Sequence, residues 1–396
     1  MKAYVMKRKK IAAIVTIVVV CTGLFFYVTR CSSFGTRFEI CDDLGGNIFP
    51  SVILSLATTD ELVIKPADSV YVGNPKSCIS VKIKSYRPNS KVRIKVSGTP
   101  FFEESISEFV LEKAWQVYQV YPDIVWKYDA LKGNNQPIPV SISIQVELNG
   151  DDIGQRVRTF SVRSINECLL GYRDASRKFN DTGIFFAAYV NEEHPMIDQL
   201  LREALDSRIV NRFMGYQSND TMYVDKQVYA LWYVLQSRKF KYSSVSNSSL
   251  SSNVVYSQRV RTLDNSIEFS QINCVDGSVL FASLLKAINI DPVLVKTPTH
   301  MFVGYYLDKE HKKIDFLETS IVGDVNLEDY FPDQKLDSTI VGKSRGQVSQ
   351  YTFVKSKEYA NLQYHKNFEK LKKHEPFYMF LEISKDIRRK IQPIGR

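Results

Sequence analysis

From about residue 35 to residue 165 the hydrophobic positions recur every second residue. "CISVKIKS" (78–85), "KVRIKVSG" (91–98), "PVSISIQVELNGDD" (139–152) and "VRTFSVRS" (157–164) all alternate in this way. Period two sends successive side chains to opposite faces of a strand, so each segment predicts a strand with one buried face. Asn149-Gly150, between two of them, supplies a hairpin turn. Short strands punctuated by Pro, Asn and Gly predict a β-sandwich over residues 33–165.

After "GIFFAAYVNEEHP" the period lengthens. "PMIDQLLREALDS" (195–207) has Pro at its first helical position and Ile197, Leu200, Leu201 and Leu205 on one face. "VDKQVYALWYVLQSRKF" (224–240) predicts a second helix through Val228, Leu231, Trp232 and Leu235, and the Ser- and Asn-rich run 243–255 a surface loop. "VDGSVLFASLLKAINI" is too densely apolar for a surface helix and predicts a buried one, ending before Pro292. "VLVKTPTHMFVGYYLDKEHKKIDFLETSIVG" (293–323) reads as strand, Pro298, strand, polar turn, strand. Past residue 345 come the helix-like "EYANLQYHKNFEKLKKH" (358–374) and an apolar "FYMFLEI". The expected fold class is α+β, with the sandwich followed by a mixed domain at 166–345 and a basic C-terminal extension at 346–396.

Residues 1–30 stand apart. Lys2, Lys7, Arg8, Lys9 and Lys10 precede the uncharged "IAAIVTIVVVCTGLFFYV" (11–28). As a helix that run would be about 27 Å long at about 1.5 Å per residue, enough to span a bilayer. Cations before it and none of the opposite sign predict a cytoplasmic N-terminus, a signal anchor at 11–28, and the bulk of the chain outside, facing the periplasm or the cell surface. A cleaved signal peptide would end in small residues, and here the run ends "FFYVTRCSSF". A lipoprotein reading through Cys21 or Cys31 meets Val20 and Arg30 where a small residue belongs.

The net charge of +9 does not point to nucleic acid once it is located. Residues 1–10 carry +5 and residues 340–396 carry +8, which leaves the 329 residues between them at −4. The tail mixes cations and aromatics in "KNFEKLKKH" and "KDIRRKI" without a phosphate loop or a nucleic-acid recognition pattern. Six cysteines, at 21, 31, 41, 78, 168 and 274, form no C-x-x-C pair, and five histidines form no H-E-x-x-H. No metal site or cofactor is expected. An extracytoplasmic compartment would permit disulfides, with a connectivity that spacing does not specify.

The chemistry centres on Cys274. It stands one step ahead of the buried apolar run, where unpaired backbone N–H groups at a helix start favour a thiolate. A thiol there can equally pack as a small hydrophobe. If "DKE" (308–310) is the hairpin loop, facing residues have numbers summing to 618: Gly304 faces Ile314, Phe302 faces Phe316, and His300 faces Glu318, with Asp315 on the other face. A helix-borne thiol, a strand-borne imidazole and a carboxylate to orient it are what nucleophilic thiol chemistry requires.

"NCVDGSVLFASLLKAINIDPVLVKTPTHMFVGYY" with "DFLETS" resembles the core of bacterial transglutaminase-like proteins, a papain-like cysteine superfamily, and "LWYVLQSRKFKY" resembles that domain's lead-in. The likeness covers roughly residues 190–325. It implies Cys274 as nucleophile, His300 as general base and Glu318 in a position usually held by Asp. For the oxyanion or for support, the Cys274 N–H, Asn273, Gln271 and Asp276 are candidates. The expected function is a membrane-anchored cysteine hydrolase, a peptidase or amidase acting on a peptide or protein through an acyl-thioester. Resolution of that thioester by an amine would give a cross-linker instead, and the same fold can serve as a non-catalytic peptide-binding or scaffolding module.

Overall fold

The protein, seen in a computed structural model that describes residues 14–23, 37–66, 70–242, 250–268, 271–323 and 326–395, is α+β and divides into two units. One gathers Met1–Ile48, Ile64–Leu131 and Ile138–Val162, the other Phe49–Val63, Lys132–Pro137 and Arg163–Arg396.

The first unit holds two sheets built from β1 (Phe38–Cys41), β2 (Asn47–Ile48), β3 (Tyr71–Gly73), β4 (Ser80–Lys84), β5 (Ser90–Val96), β6 (Ser105–Leu111), β7 (Val117–Tyr121), β8 (Ile138–Leu148) and β9 (Asp151–Val162). Their orders are β1-β4-β7-β3 and β2-β9-β8-β5-β6. Alternation becomes burial: in β8, Val140, Ile142, Ile144, Val146 and Leu148 are buried. Asn149 and Gly150 close the β8–β9 hairpin with φ of 53° and 89°, a left-handed pair that Asn-Gly adopts at low cost.

In the second unit, β10 (Glu167–Arg173), β11 (Phe179–Asp181), β13 (Leu250–Ser251) and β14 (Val255–Arg259) make a sheet in the order β11-β10-β14-β13, and β12 (Lys241–Tyr242) pairs in parallel with β15 (Gln271–Ile272). A third sheet runs β18-β17-β16-β19, from β16 (Pro292–Lys296), β17 (Met301–Tyr306), β18 (Ile314–Leu317) and β19 (Met379–Glu382). The helices Pro195–Asp206, Thr221–Ser237 and Cys274–Ala287 precede it, and the 28-residue helix Arg345–Lys372 packs on β18. Val293, Val295, Phe302, Phe316, Ala360 and Leu371 form one buried cluster between that sheet and the long helix.

Three expectations are corrected here. Residues 346–396 are no separate extension: β19 is the edge strand hydrogen-bonded to β16, and the long helix supplies core side chains. The helix Pro50–Leu56, within the expected sandwich range, belongs to the second unit, where six of its seven residues are buried and Ser51 Oγ donates to the Glu167 carbonyl at 2.8 Å. A helix buried on nearly all sides needs cover that a single half-wet strand face cannot give, and its two buried serines spend their hydroxyls on carbonyls. Finally, the β17–β18 register sums to 620, with Gly304 opposite Phe316 and Tyr305 opposite Asp315. The turn is longer than "DKE" because the Asp308 carboxylate accepts the backbone N–H groups of Lys312 and Lys313, both at 2.8 Å, with His311 at φ 57°.

Of the anchor expected at 11–28, residues 14–23 are helical and exposed, and the rest lie outside the described residues. Among the described residues no helix is long and apolar enough to cross a membrane.

Candidate active site

Cys274 is the first residue of its helix and is 4% exposed. The start of that helix is fixed by a reciprocal cap. Asn273 Oδ1 accepts the N–H groups of Val275 and Asp276, both at 2.8 Å, while Asp276 Oδ2 accepts the Asn273 N–H at 3.0 Å. Arg261 completes it, its backbone N–H and guanidinium donating to the two Asp276 oxygens at 2.8 and 2.5 Å. Burial raises the Asp276 carboxyl above its ordinary range against the hydrogen bonds and charge of Arg261. Asn273 and Asp276 therefore build the helix end that presents Cys274. Asn273 Nδ2 is a buried donor without a partner. Gln271, on β15, is exposed and does not line the pocket described below.

His300 enters from the turn between β16 and β17, held by reciprocal backbone bonds with Thr297 at 2.8 and 3.4 Å. Its Nε2 lies 2.5 Å from Glu318 Oε2. The shift of register by two leaves every side chain on its expected face, so the two residues still meet, reaching diagonally rather than squarely across the hairpin. Asp315 points the other way, accepting from Asn361 at 2.7 Å and pairing with Lys357 at 2.7 Å.

Glu318 is fully buried and fully engaged. Its Oε1 accepts from the backbone N–H and hydroxyl of Ser320 at 3.1 and 2.5 Å, and Ser320 is tied to the Tyr330 hydroxyl at 2.7 Å. Its backbone N–H donates to Ser356 Oγ at 2.9 Å, and that hydroxyl donates back to the Glu318 carbonyl at 3.1 Å. Burial alone would discharge His300, but the charge of Glu318 and hydrogen bonds to Cys274 and Glu318 outweigh it and push the imidazole up from 6.5 to about 11. With Nε2 taken by Glu318, Nδ1 is the ring atom left for the sulfur.

Cys274 and His300 open on one pocket of about 530 Å³, lined also by Tyr256, Gln258, Lys296 and Phe377. The residues sequence reasoning missed are these and Ser356. Tyr256 and Gln258 share a face of β14, a period-two signal hidden behind the Ser-rich stretch, and Lys296 is the charge ending the otherwise apolar "PVLVK". Among the described residues no group of three His, Cys, Asp or Glu side chains is placed to hold a metal. Cys21, Cys41, Cys78, Cys168 and Cys274 are free thiols, and burial foremost pushes Cys78 up to about 12. Comparison with protein-family models, curated proteins and solved structures finds no match to this chain.

Proposed function

We propose that the protein is a transglutaminase-like cysteine hydrolase, a peptidase or amidase working through Cys274, His300 and Glu318. The observation that carries this reading is the bridged imidazole: His300 hydrogen-bonds a buried carboxylate on one side and interacts with a helix-first thiol on the other, beside an open pocket. A packed thiol has no use for either partner.

The chemistry follows from the placement. The Cys274 sulfur attacks the scissile carbonyl, and the oxygen takes up the developing charge facing the Cys274 N–H, whose neighbours at 275 and 276 are spent on the cap. His300 gives its proton to the departing amine, leaving an acyl-thioester. It then takes a proton from water, which attacks the thioester and returns the acid and the thiol. Glu318 fixes the ring and stabilises its charge throughout. The β-sandwich reading of the first unit and the extracytoplasmic location through a 11–28 anchor belong to the same proposal, the latter on "KRKK" ahead of an uncharged run. Iodoacetamide at neutral pH should label Cys274 ahead of the buried Cys78 and Cys168, and His300→Ala should slow that labelling at least tenfold. Uniformly slow labelling of all three, unchanged by His300→Ala, would leave a peptide-binding module as the better reading.

A further inference from the structure

Lys296 ends β16 within the wall of the same pocket, 5% exposed. Its ammonium donates to the Thr297 carbonyl at 2.9 Å, and among the described residues no carboxylate forms an ion pair with it. A lysine is almost never buried without a counter-charge, because removing an ammonium from water carries a desolvation cost that a paired anion recovers. Asp181, whose charge favours the ammonium from beyond ion-pairing range, lines with Lys296 a second, water-sized cavity, and Cys168 and Cys274 also act on it. Among the described residues none of these three hydrogen-bonds the ammonium or pairs with it. Burial accordingly pushes Lys296 down to about 8, against the influence of those three groups. Two of the three ammonium donors remain unspent beside the nucleophile.

We infer that Lys296 is a specificity residue that receives a carboxylate of the substrate, so that the pocket selects an acidic peptide whose carboxylate lies close to the carbonyl under attack. The inference rests on the hydrolase reading for the word substrate, but the binding it describes does not need a reactive thiol. A single compact cation matches the one charge of a carboxylate, and among the described residues no cation beyond Lys296 and His300 lines the pocket to meet the further charge of a phosphate, which the second arm of the test compares directly. The cost of the unpaired charge falls on the empty protein and is relieved when the acid binds, a common exchange of stability for function.

The test has two arms on the full chain. In the first, Cys274 is alkylated with iodoacetate and iodoacetamide, and with N-bromoacetylglycine and its amide, which hold the carboxylate at two distances from the sulfur. The wild type should react faster with the acid than with the matching neutral reagent, Lys296→Met should cut that acid-to-neutral rate ratio about tenfold, and Lys296→Arg should retain part of it. A preference that survives Lys296→Met overturns the inference, since His300 alone would then read the charge. In the second arm, the Cys274→Ser protein is titrated with N-acetylglycine and N-acetylglycinamide by saturation-transfer NMR. Carboxylate binding that disappears with Lys296→Met upholds the inference even if Cys274 proves a sluggish nucleophile. Binding indifferent to Lys296, or matched by inorganic phosphate, sinks it even if Cys274 labels fast. Folding is not at risk in this comparison: removing an unpaired buried charge should raise the melting temperature of Lys296→Met by a few degrees.

Discussion

His300 is held between two groups that both favour its charged form, in surroundings that by themselves oppose it. A histidine raised in this way adds stability that is complete below its unfolded value near 6.5 and is lost as pH rises through about 11. In a wild-type NMR titration its ring protons should therefore stay flat from pH 5 to 9. Glu318→Gln removes the larger favourable charge, so the midpoint should fall into that window, whereas Asp315→Asn, which faces Lys357 and Asn361, should leave it where it was. Equal shifts from the two substitutions would mean that the imidazole does not depend on Glu318. The three candidate residues that the structure brings together were legible in sequence because each stands out from its background: a thiol before an apolar run, a histidine at a strand start, an acid ending "DFLE". Lys296 was missed because its meaning depends on what lies around it, and burial without an ion-pair partner is a three-dimensional fact.

Among the elements, the helix Cys274–Ala287 shows how placement is secured. Its periodicity and its stop were readable, and so was Asp276 in the first turn, but Arg261 lies 15 residues away and nothing in its local pattern announces the cap. Arg261→Met should cost about 3–5 kcal/mol in chemical denaturation, because it leaves a buried carboxylate without its cation. Gly277 carries a second constraint. A Cβ there would sit 2.6 Å from Thr319 Oγ1 and 2.9 Å from its Cβ, so only glycine lets the helix approach the turn that follows Glu318. Gly277→Ala should cost about 1–3 kcal/mol by overpacking, and it should also slow Cys274 labelling, with Thr319→Gly as a second change restoring both. The hairpin teaches the complementary lesson. Its register differs from the simple loop by two residues because the Asp308 side chain captures two backbone donors, a local competition that counting does not reveal. Faces survived the slip because the strand period is two.

For the whole chain, the two periods separated the sheet-rich part from the mixed part, but not the exchanges of segments between them. Phe49–Val63 and Lys132–Pro137 count with the second unit, and only the dense burial of the helix Pro50–Leu56 tells them apart from a sandwich strand and loop. The C-terminal segment was hidden for a different reason: "FYMFLEI" resembles any short apolar run until it is seen paired with β16, residue by residue from Val293–Glu382 to Lys296–Met379. Ending the chain at residue 376 should strip β16 of that neighbour and uncover Val293 and Val295, and the shortened protein should show a lower denaturation midpoint and a lost near-ultraviolet signal. An unchanged midpoint would mean that β19 adds nothing to the sheet.

The bracing of Glu318 by Ser356, and the closing of the sheet by β19, also set a schedule for biosynthesis. A ribosome makes Cys274, His300 and Glu318 in that order, yet the hydroxyl that grips both backbone groups of Glu318 comes 38 residues later, and the last strand later still. At about 5–20 residues per second, the nascent chain carries Cys274, His300 and Glu318 for roughly 3–13 s before Glu382 is even polymerised. During that interval the helix that bears Cys274 packs on an unfinished sheet, and Glu318, the partner of His300, lacks its Ser356 brace. On the proposed hydrolase reading, Cys274 thus gains its fully braced imidazole–carboxylate pair only after residues 356–382 are made, and a product of synthesis that stops short of Ser356 lacks the grip on Glu318.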